Sequence, residues 1–169
     1  MKKIEMTDIF KDLALQLNEG AFLVSGDCGN PMTVGWVQLG IIWGKPICTV
    51  FVRKSRFSHE LMGMDKSFTL SIPKHGEMKK ELAFCGSKSG RSTDKLAELG
   101  LSEKATENGG KLLSKCHTHI VCKTVATTEM DMNSVDKAIL DRYYNTNQAT
   151  EDGDPHTIYF GEIKEAWED

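Results

Sequence analysis

No apolar run in this 169-residue sequence approaches the ~20 residues that a membrane-spanning helix requires. The stretch around Ile41-Ile42-Trp43 falls far short. No apolar segment follows the N-terminal Met1-Lys2-Lys3, which meets Glu5 and Asp8 at once, so a secretion signal is not expected. Positive charge is not in excess either. Lys and Arg number 21 against 24 Asp and Glu, a net charge of −3, which argues against a general nucleic-acid binder. A disulfide framework is not expected, because the five cysteines are odd in number and a chain of this length buries a core without staples. Free thiols in a reducing, cytoplasmic compartment follow as the expectation. There is no internal repeat and no low-complexity linker, so residues 1–169 read as a single domain.

What is present is a succession of short strands. Ile9, Phe10, Leu13, Ala14 and Leu17 form a helical stripe over 7–19, with Thr7 or Asp8 to cap it and Gly20 to end it. Ala21 to Ser25, Met32 to Leu39, Ile47 to Val52, Ser67 to Ile72, Cys116 to Thr124 and Thr157 to Ile163 read as strands. The second and third of these are joined through Gly40 and Gly44-Lys45-Pro46. Short helices are expected from Ser55 or Ser58 to about Met64, over Glu77 to Ala83 and over Thr93 to Leu99. A further one is capped by Asn133 or Ser134, with Val135, Ile139 and Tyr143 as its apolar face. Asn145 to Pro155 reads as a polar loop. The layout is mostly β, of α+β type: an antiparallel barrel with short helices in the connections.

Three segments combine residues suited to a ligand. In Asn30-Pro31-Met32-Thr33-Val34-Gly35-Trp36, a turn feeds a strand and Gly35 removes a side chain within it. Such a glycine marks either the close approach of a planar ligand or a bulge packed on a core tryptophan. Trp36 and Gln38 share a face by alternation. In Arg53-Lys54-Ser55-Arg56-Phe57-Ser58, cations and hydroxyls precede a helix, which fits one phosphate monoester or, equally, a solvated basic turn with capping serines. Ser87-Lys88-Ser89-Gly90-Arg91, with Asp94 and Lys95, repeats that chemistry, yet also reads as a plain linker between helices. It lacks the order of a Walker A loop. Cys116-His117-Thr118-His119-Ile120-Val121-Cys122 has the residue types of a zinc site, but on one strand the cysteines and the histidines face opposite ways, so no metal is expected. No nucleophile–base pair stands out.

Taken in order, these segments resemble the flavin reductase-like family, in particular its small flavoredoxin-type members. The resemblance is carried by Asn30 to Trp36, by Trp43-Gly44-Lys45-Pro46 leading to Val50 through Ser58, by Ser67 to Ser71, and by Phe84 through Arg91 with Asp94-Lys95-Leu96. His156 ahead of Gly161-Glu162-Ile163 completes it. It implies a split β-barrel that binds FMN non-covalently, usually as a homodimer. Such proteins take a hydride from NADH or NADPH or, in the alternative, carry electrons between redox protein partners without NAD(P)H activity of their own. The resemblance sets Asn30, Met32, Thr33, Val34, Gly35, Trp36 and Gln38 along the flavin ring. It brings Arg53, Ser55 and Arg56, with Phe57 and Ser58, to the phosphate and ribityl chain. It closes Cys85, Gly86, Ser87, Ser89, Gly90, Arg91 and Lys95 over the phosphate end, and puts His156 on the nicotinamide side. The flavin carries the chemistry, so no side chain is assigned as catalytic. A Gly-Asp-His-type stretch common in reductases of the family is represented here only by His156, Thr157 and then Gly161-Glu162, a departure that bears on the pyridine-nucleotide step.

Overall fold

Segments rich in β-branched and aromatic residues, buried along most of their length, build one eight-stranded antiparallel sheet. The structure, a computed structural model, describes all residues except 6–8, 10–12 and 145–152. The strands are β1 (Lys2–Lys3), β2 (Ala21–Ser25), β3 (Asn30–Val34), β4 (Val37–Ile42), β5 (Lys45–Arg53), β6 (Ser67–Ile72), β9 (Thr118–Glu129) and β10 (His156–Glu168). They pair in the order β3-β2-β6-β9-β10-β5-β4, with β1 added to β10. β7 (Glu103–Ala105) and β8 (Lys111–Leu113) form a separate hairpin. The two edges of the main sheet, β3 and β4, are consecutive in sequence, and no ladder joins them. The barrel is therefore split where the chain crosses from Val34 to Val37.

The split corrects the expectation of one strand from Met32 to Leu39: Gly35 and Trp36 lie between two strands that belong to opposite edges. The connection expected over Gly40 to Pro46 shrinks to Trp43 and Gly44. Both have positive φ (54° and 67°), the backbone that a tight hairpin demands. The last strand is longer than Thr157 to Ile163. It continues to Glu168, so the acidic end is a strand paired with β9 rather than a tail.

β2 is buried on both faces. Ala21 and Leu23 enter the main core with Met32, Val50, Phe68 and Ile120, while Phe22 and Val24 enter a second core with Leu82, Cys85, Leu113 and Cys116. The helices α1 (Phe57–Leu61), α2 (Lys79–Ser87), α3 (Lys95–Leu99) and α4 (Lys137–Tyr143) are all short. Among the described residues, no helix is long and apolar enough to cross a membrane.

α2 runs on past Ala83 and takes Cys85 and Gly86 into the helix. α3 is capped by Asp94, whose carboxylate accepts from the Ala97 amide. α4 begins after Asp136, not at Asn133 or Ser134. Its expected apolar face is not in the core, since Ile139 and Tyr143 remain partly exposed, and the neighbouring Tyr144 is the buried ring. Residues 13–16 are helical ahead of Gly20, but the expected caps Thr7 and Asp8, and Phe10, lie outside the described residues.

Gly161 in β10 is sterically required. A Cβ there would lie 2.7 Å from Cys122 Cβ and collide with the Phe68 ring. Gly161→Ala is expected to lower stability by roughly 1–3 kcal/mol through overpacking, read as a reduced urea midpoint at unchanged slope.

Two buried histidines give the fold an acid limit. His119, bonded to Ser71 Oγ at 2.9 Å, and His156 are both pushed by burial from 6.5 to about 4. Above pH 6.5 neither state holds these protons. As pH falls from 6.5 towards 4, the unfolded chain takes up protons that the folded protein refuses, so stability declines over that window. Urea midpoints measured across it are expected to fall, and His119→Asn to shallow the slope.

Candidate functional site

The split in the barrel creates the first part of the site. Gly35 and Trp36 fall between the β2–β3 and β4–β5 ladders, the Trp36 carbonyl accepting from the Phe51 amide at 3.2 Å, and a hollow of about 290 Å³ opens between Met32–Trp36 on one side and Phe51, Arg53, Arg56 and His156 on the other. Trp36 forms its rim. The indole stacks on the His156 ring (centroids 4.4 Å apart, 29° between planes) and meets Phe51, Tyr143 and Tyr144 edge-on. His156 is only 6% exposed, and its Nδ1 is 2.8 Å from the Tyr144 hydroxyl. Burial, with Arg53 alongside, keeps the imidazole neutral. Its role here is to back the tryptophan.

The second part adjoins the first at Met32 and Arg56. It is a hollow of about 130 Å³ between the β5–α1 turn and the α2–α3 loop, lined by Asn30, Ser55, Arg56, Phe57, Ser58 and by Ser87 through Arg91 with Lys95. Gly90 is packed against Asn30 and Phe57: a Cβ there would collide with Asn30 Oδ1 and lie 2.8 Å from the Phe57 ring. Asn30 in turn donates to Ser58 Oγ at 3.0 Å. The serines do not cap α1 as expected. Arg56 occupies the cap position with no side-chain bond, and Ser55 is held elsewhere.

Five cations line the site; Lys88 is exposed, and the other four divide into two kinds. Arg53 donates to the carbonyls of Asp154 and Tyr143 (2.9 and 2.6 Å), lies 3.9 Å from the Asp154 carboxylate, and covers the Tyr144 ring. Arg91 is ion-paired to Glu60 and donates to the Ser55 carbonyl. Both are committed to protein acids. Arg56 instead donates to the Gly86 carbonyl at 2.7 Å and to Met32 Sδ at 3.4 Å. Lys95, 4% exposed, donates to the Pro31 and Cys85 carbonyls at 2.8 and 3.3 Å. The Asp154 carboxylate, held by Ser55, also acts electrostatically on Arg56. Burial lowers the pKa of Arg56 and Lys95 from the ordinary value, which marks the charged form as under-solvated. Two desolvated cations on neutral acceptors in one hollow are suited to an incoming anion.

Most of the residues expected at the site line these hollows, and three of them, Gln38, Cys85 and Gly86, do not. Gln38 is exposed on β4 opposite Thr49, outside the hollows. Cys85 is a fully buried helix residue of the second core, with a thiol pushed up to about 11 by burial; it offers only its carbonyl, to Lys95. Gly86 likewise contributes a carbonyl, to Arg56. Arg53 lines the hollow at the split, with its guanidinium bonded to the carbonyls of residues 143 and 154.

The residue that sequence reading missed is Asp154. It is 1% exposed, and its two carboxylate oxygens accept from the Ser55 amide (2.9 Å) and hydroxyl (2.7 Å). Its signal was the turn Gly153-Asp154-Pro155 immediately before β10, where Asp154 adopts φ 55°.

The Flavin reductase like domain family matches residues 16–169. Among solved structures, a flavoredoxin from Methanosarcina acetivorans is 22% identical over 89% of this chain and 68% of that one, with a TM-score of 0.67. An FMN-binding protein from Thermus thermophilus is 17% identical over 89% and 71%, at 0.64. An NADH:FAD oxidoreductase from Streptomyces globisporus is 17% identical over 99% and 87%, at 0.61. At these identities the likenesses establish the fold. No curated protein matches the chain.

Asp154→Ala leaves the Ser55 amide and hydroxyl without their acceptor and removes the carboxylate 3.9 Å from Arg53. It is expected to destabilise the fold by about 1–3 kcal/mol, and Asp154→Asn by less, as measured by denaturant unfolding.

Proposed function

The chain belongs to the flavin reductase-like domain family, and we propose that it is an FMN-binding flavoprotein oxidoreductase that accepts reducing equivalents from NADH or NADPH. The observation that carries this reading is the pair of under-solvated cations, Arg56 and Lys95, beside a hollow whose wall is strand backbone and an indole. The donor set fits FMN. Cations and the hydroxyls of Ser55, Ser58, Ser87 and Ser89 suit its phosphate and ribityl chain, and the open edge from Thr33 to Trp36 suits a flat ring. Gly90 leaves room for Asn30 to stay against Phe57. FMN when bound supplies two-electron and one-electron redox chemistry. The protein holds the phosphate through Arg56 and Lys95 and shields the ring behind Trp36. His156 stays neutral there, so it adds no charge beside the ring.

A second reading, an electron carrier serving redox protein partners without its own NAD(P)H activity, has one observation in its favour. His156, the residue matched to the nicotinamide side, is buried behind Trp36 and bonded to Tyr144, not presented to the hollow's mouth. In either reading the protein is proposed to act in the cytoplasm as a homodimer. The partner copy would cover the exposed parts of Trp36, Ile139 and Tyr143 near the split.

The purified protein, mixed with FMN and freed of excess, is expected to show flavin absorption between 300 and 600 nm. Bleaching on addition of NADH or NADPH supports the reductase, a retained spectrum supports the carrier, and absence of bound flavin overturns both. Arg56→Ala is expected to weaken FMN binding by roughly 1.5–3 kcal/mol, the range for a hydrogen bond to a charged group. Arg53→Ala is expected to lower stability more than it lowers FMN affinity, as unfolding and fluorescence titration compared side by side would read.

A further inference from the structure

Four serines line the hollow that holds Arg56 and Lys95, and their partners give them opposite polarity. A hydroxyl has one hydrogen to donate and two lone pairs with which to accept. Ser55 gives its hydrogen to Asp154 Oδ2 at 2.7 Å, and Ser87 gives its own to the Ala83 and Phe84 carbonyls of α2 at 2.9 and 3.2 Å. Both therefore offer lone pairs only. Ser58, 1% exposed, takes a hydrogen from Asn30 Nδ2 at 3.0 Å, and Ser89 takes one from the Arg91 amide at 3.2 Å. Neither of these hydroxyls donates to an acceptor among the described residues, so both keep a hydrogen for a ligand.

A phosphate is bound by donors and gains nothing from a bare lone pair. It is matched by Ser58 and Ser89 together with the two cations, and mismatched to Ser55 and Ser87. Those two suit a group that brings its own hydrogen, such as the hydroxyls of a polyol chain. The polarity of Ser55 comes from across the fold. Asp154 Oδ1 accepts from the Ser55 amide at 2.9 Å while Oδ2 holds the hydroxyl, and the carboxylate is 1% exposed. Turning the Ser55 hydrogen into the hollow would take a bond from a buried acid, which is costly. We propose that Asp154 is a positioning residue for ligand specificity: it makes Ser55 an acceptor, so that the hollow takes a polyol phosphate with a chain hydroxyl on Ser55 and the phosphate on Ser58, Ser89, Arg56 and Lys95. The proposal rests on the flavin-phosphate reading of this hollow and assigns the two parts of that ligand to different serines.

Riboflavin has the polyol chain without the phosphate and so separates the two parts. Dissociation constants for FMN and riboflavin are measured by flavin fluorescence titration. Ser55→Ala is expected to weaken both ligands by the same factor, about fivefold, as for a neutral hydrogen bond. Ser58→Ala is expected to weaken FMN by about tenfold or more, as for a bond to a charged group, and to leave riboflavin unchanged. Asp154→Asn presents an amide N–H to Ser55 Oγ and turns the serine hydrogen into the hollow. FMN then binds about tenfold tighter, the same scale as a bond to a charged group, and riboflavin no tighter. Removal of a negative charge near Arg56 would by itself tighten FMN with or without Ser55, so the same change is made in the Ser55→Ala background, where the gain is expected to vanish. The proposal is overturned if Ser55→Ala weakens FMN but not riboflavin, if Asp154→Asn fails to tighten FMN, if its gain survives without Ser55, or if riboflavin does not bind at all while FMN does. Failure of FMN to bind the unaltered protein overturns the flavin reading itself; the other outcomes overturn only the assignment of the serines.

Discussion

A sheet whose two edge strands are consecutive in sequence cannot close where the chain passes from one edge to the other. That constraint governs this molecule. β3 and β4 share only Gly35 and Trp36 between them, so the ladder is missing along one line and a hollow opens there. Open edges invite unwanted pairing, and the fold blunts this one. Pro31 removes a donor from β3, Thr33 Oγ1 bonds the Leu82 carbonyl of α2 at 2.5 Å, and Lys95 bonds the Pro31 carbonyl. The helices that seal the edge are the same ones whose connecting loop supplies the cationic half of the groove.

Electrostatics then separates cations that look alike along the chain. Arg53 and Arg91 lie beside Asp154 and Glu60, and their charge is spent within the protein. Arg56 and Lys95 are pressed between carbonyls, where loss of water penalises the charged form. A bound anion offsets that penalty most where the charge has lost most solvation. The strain of keeping two such groups in place is shared by Asn30, Ser58 and Gly90, whose close packing fixes the walls around them.

Much of this was legible in the sequence, for local reasons. Runs of strand-forming residues placed β2, β5 and β6 within a residue or two, because each faces a core on at least one side. Clusters of cation, hydroxyl and glycine at 53–58 and 87–91 marked the loops around the hollow that holds Arg56 and Lys95. Less legible were the breaks. Met32 to Leu39 reads as one run of strand-forming residues, yet the barrel needs a crossing within it, and only the pairing of β3 with β2 and of β4 with β5 reveals where. The stripe Val135, Ile139 and Tyr143 has helical spacing, but spacing does not say whether a core lies opposite, and here none does.

The sequence by itself determined the strand-rich class, the family and the two loops that meet at the groove, since each is written in residue type and local spacing. Which of the four cations is left for a ligand was decided only by tertiary structure. Asp154 lies 99 residues from Ser55 along the chain and becomes its partner through the pairing of β10 with β5. Charge balance in a groove depends on neighbours across the fold, and no local pattern encodes them.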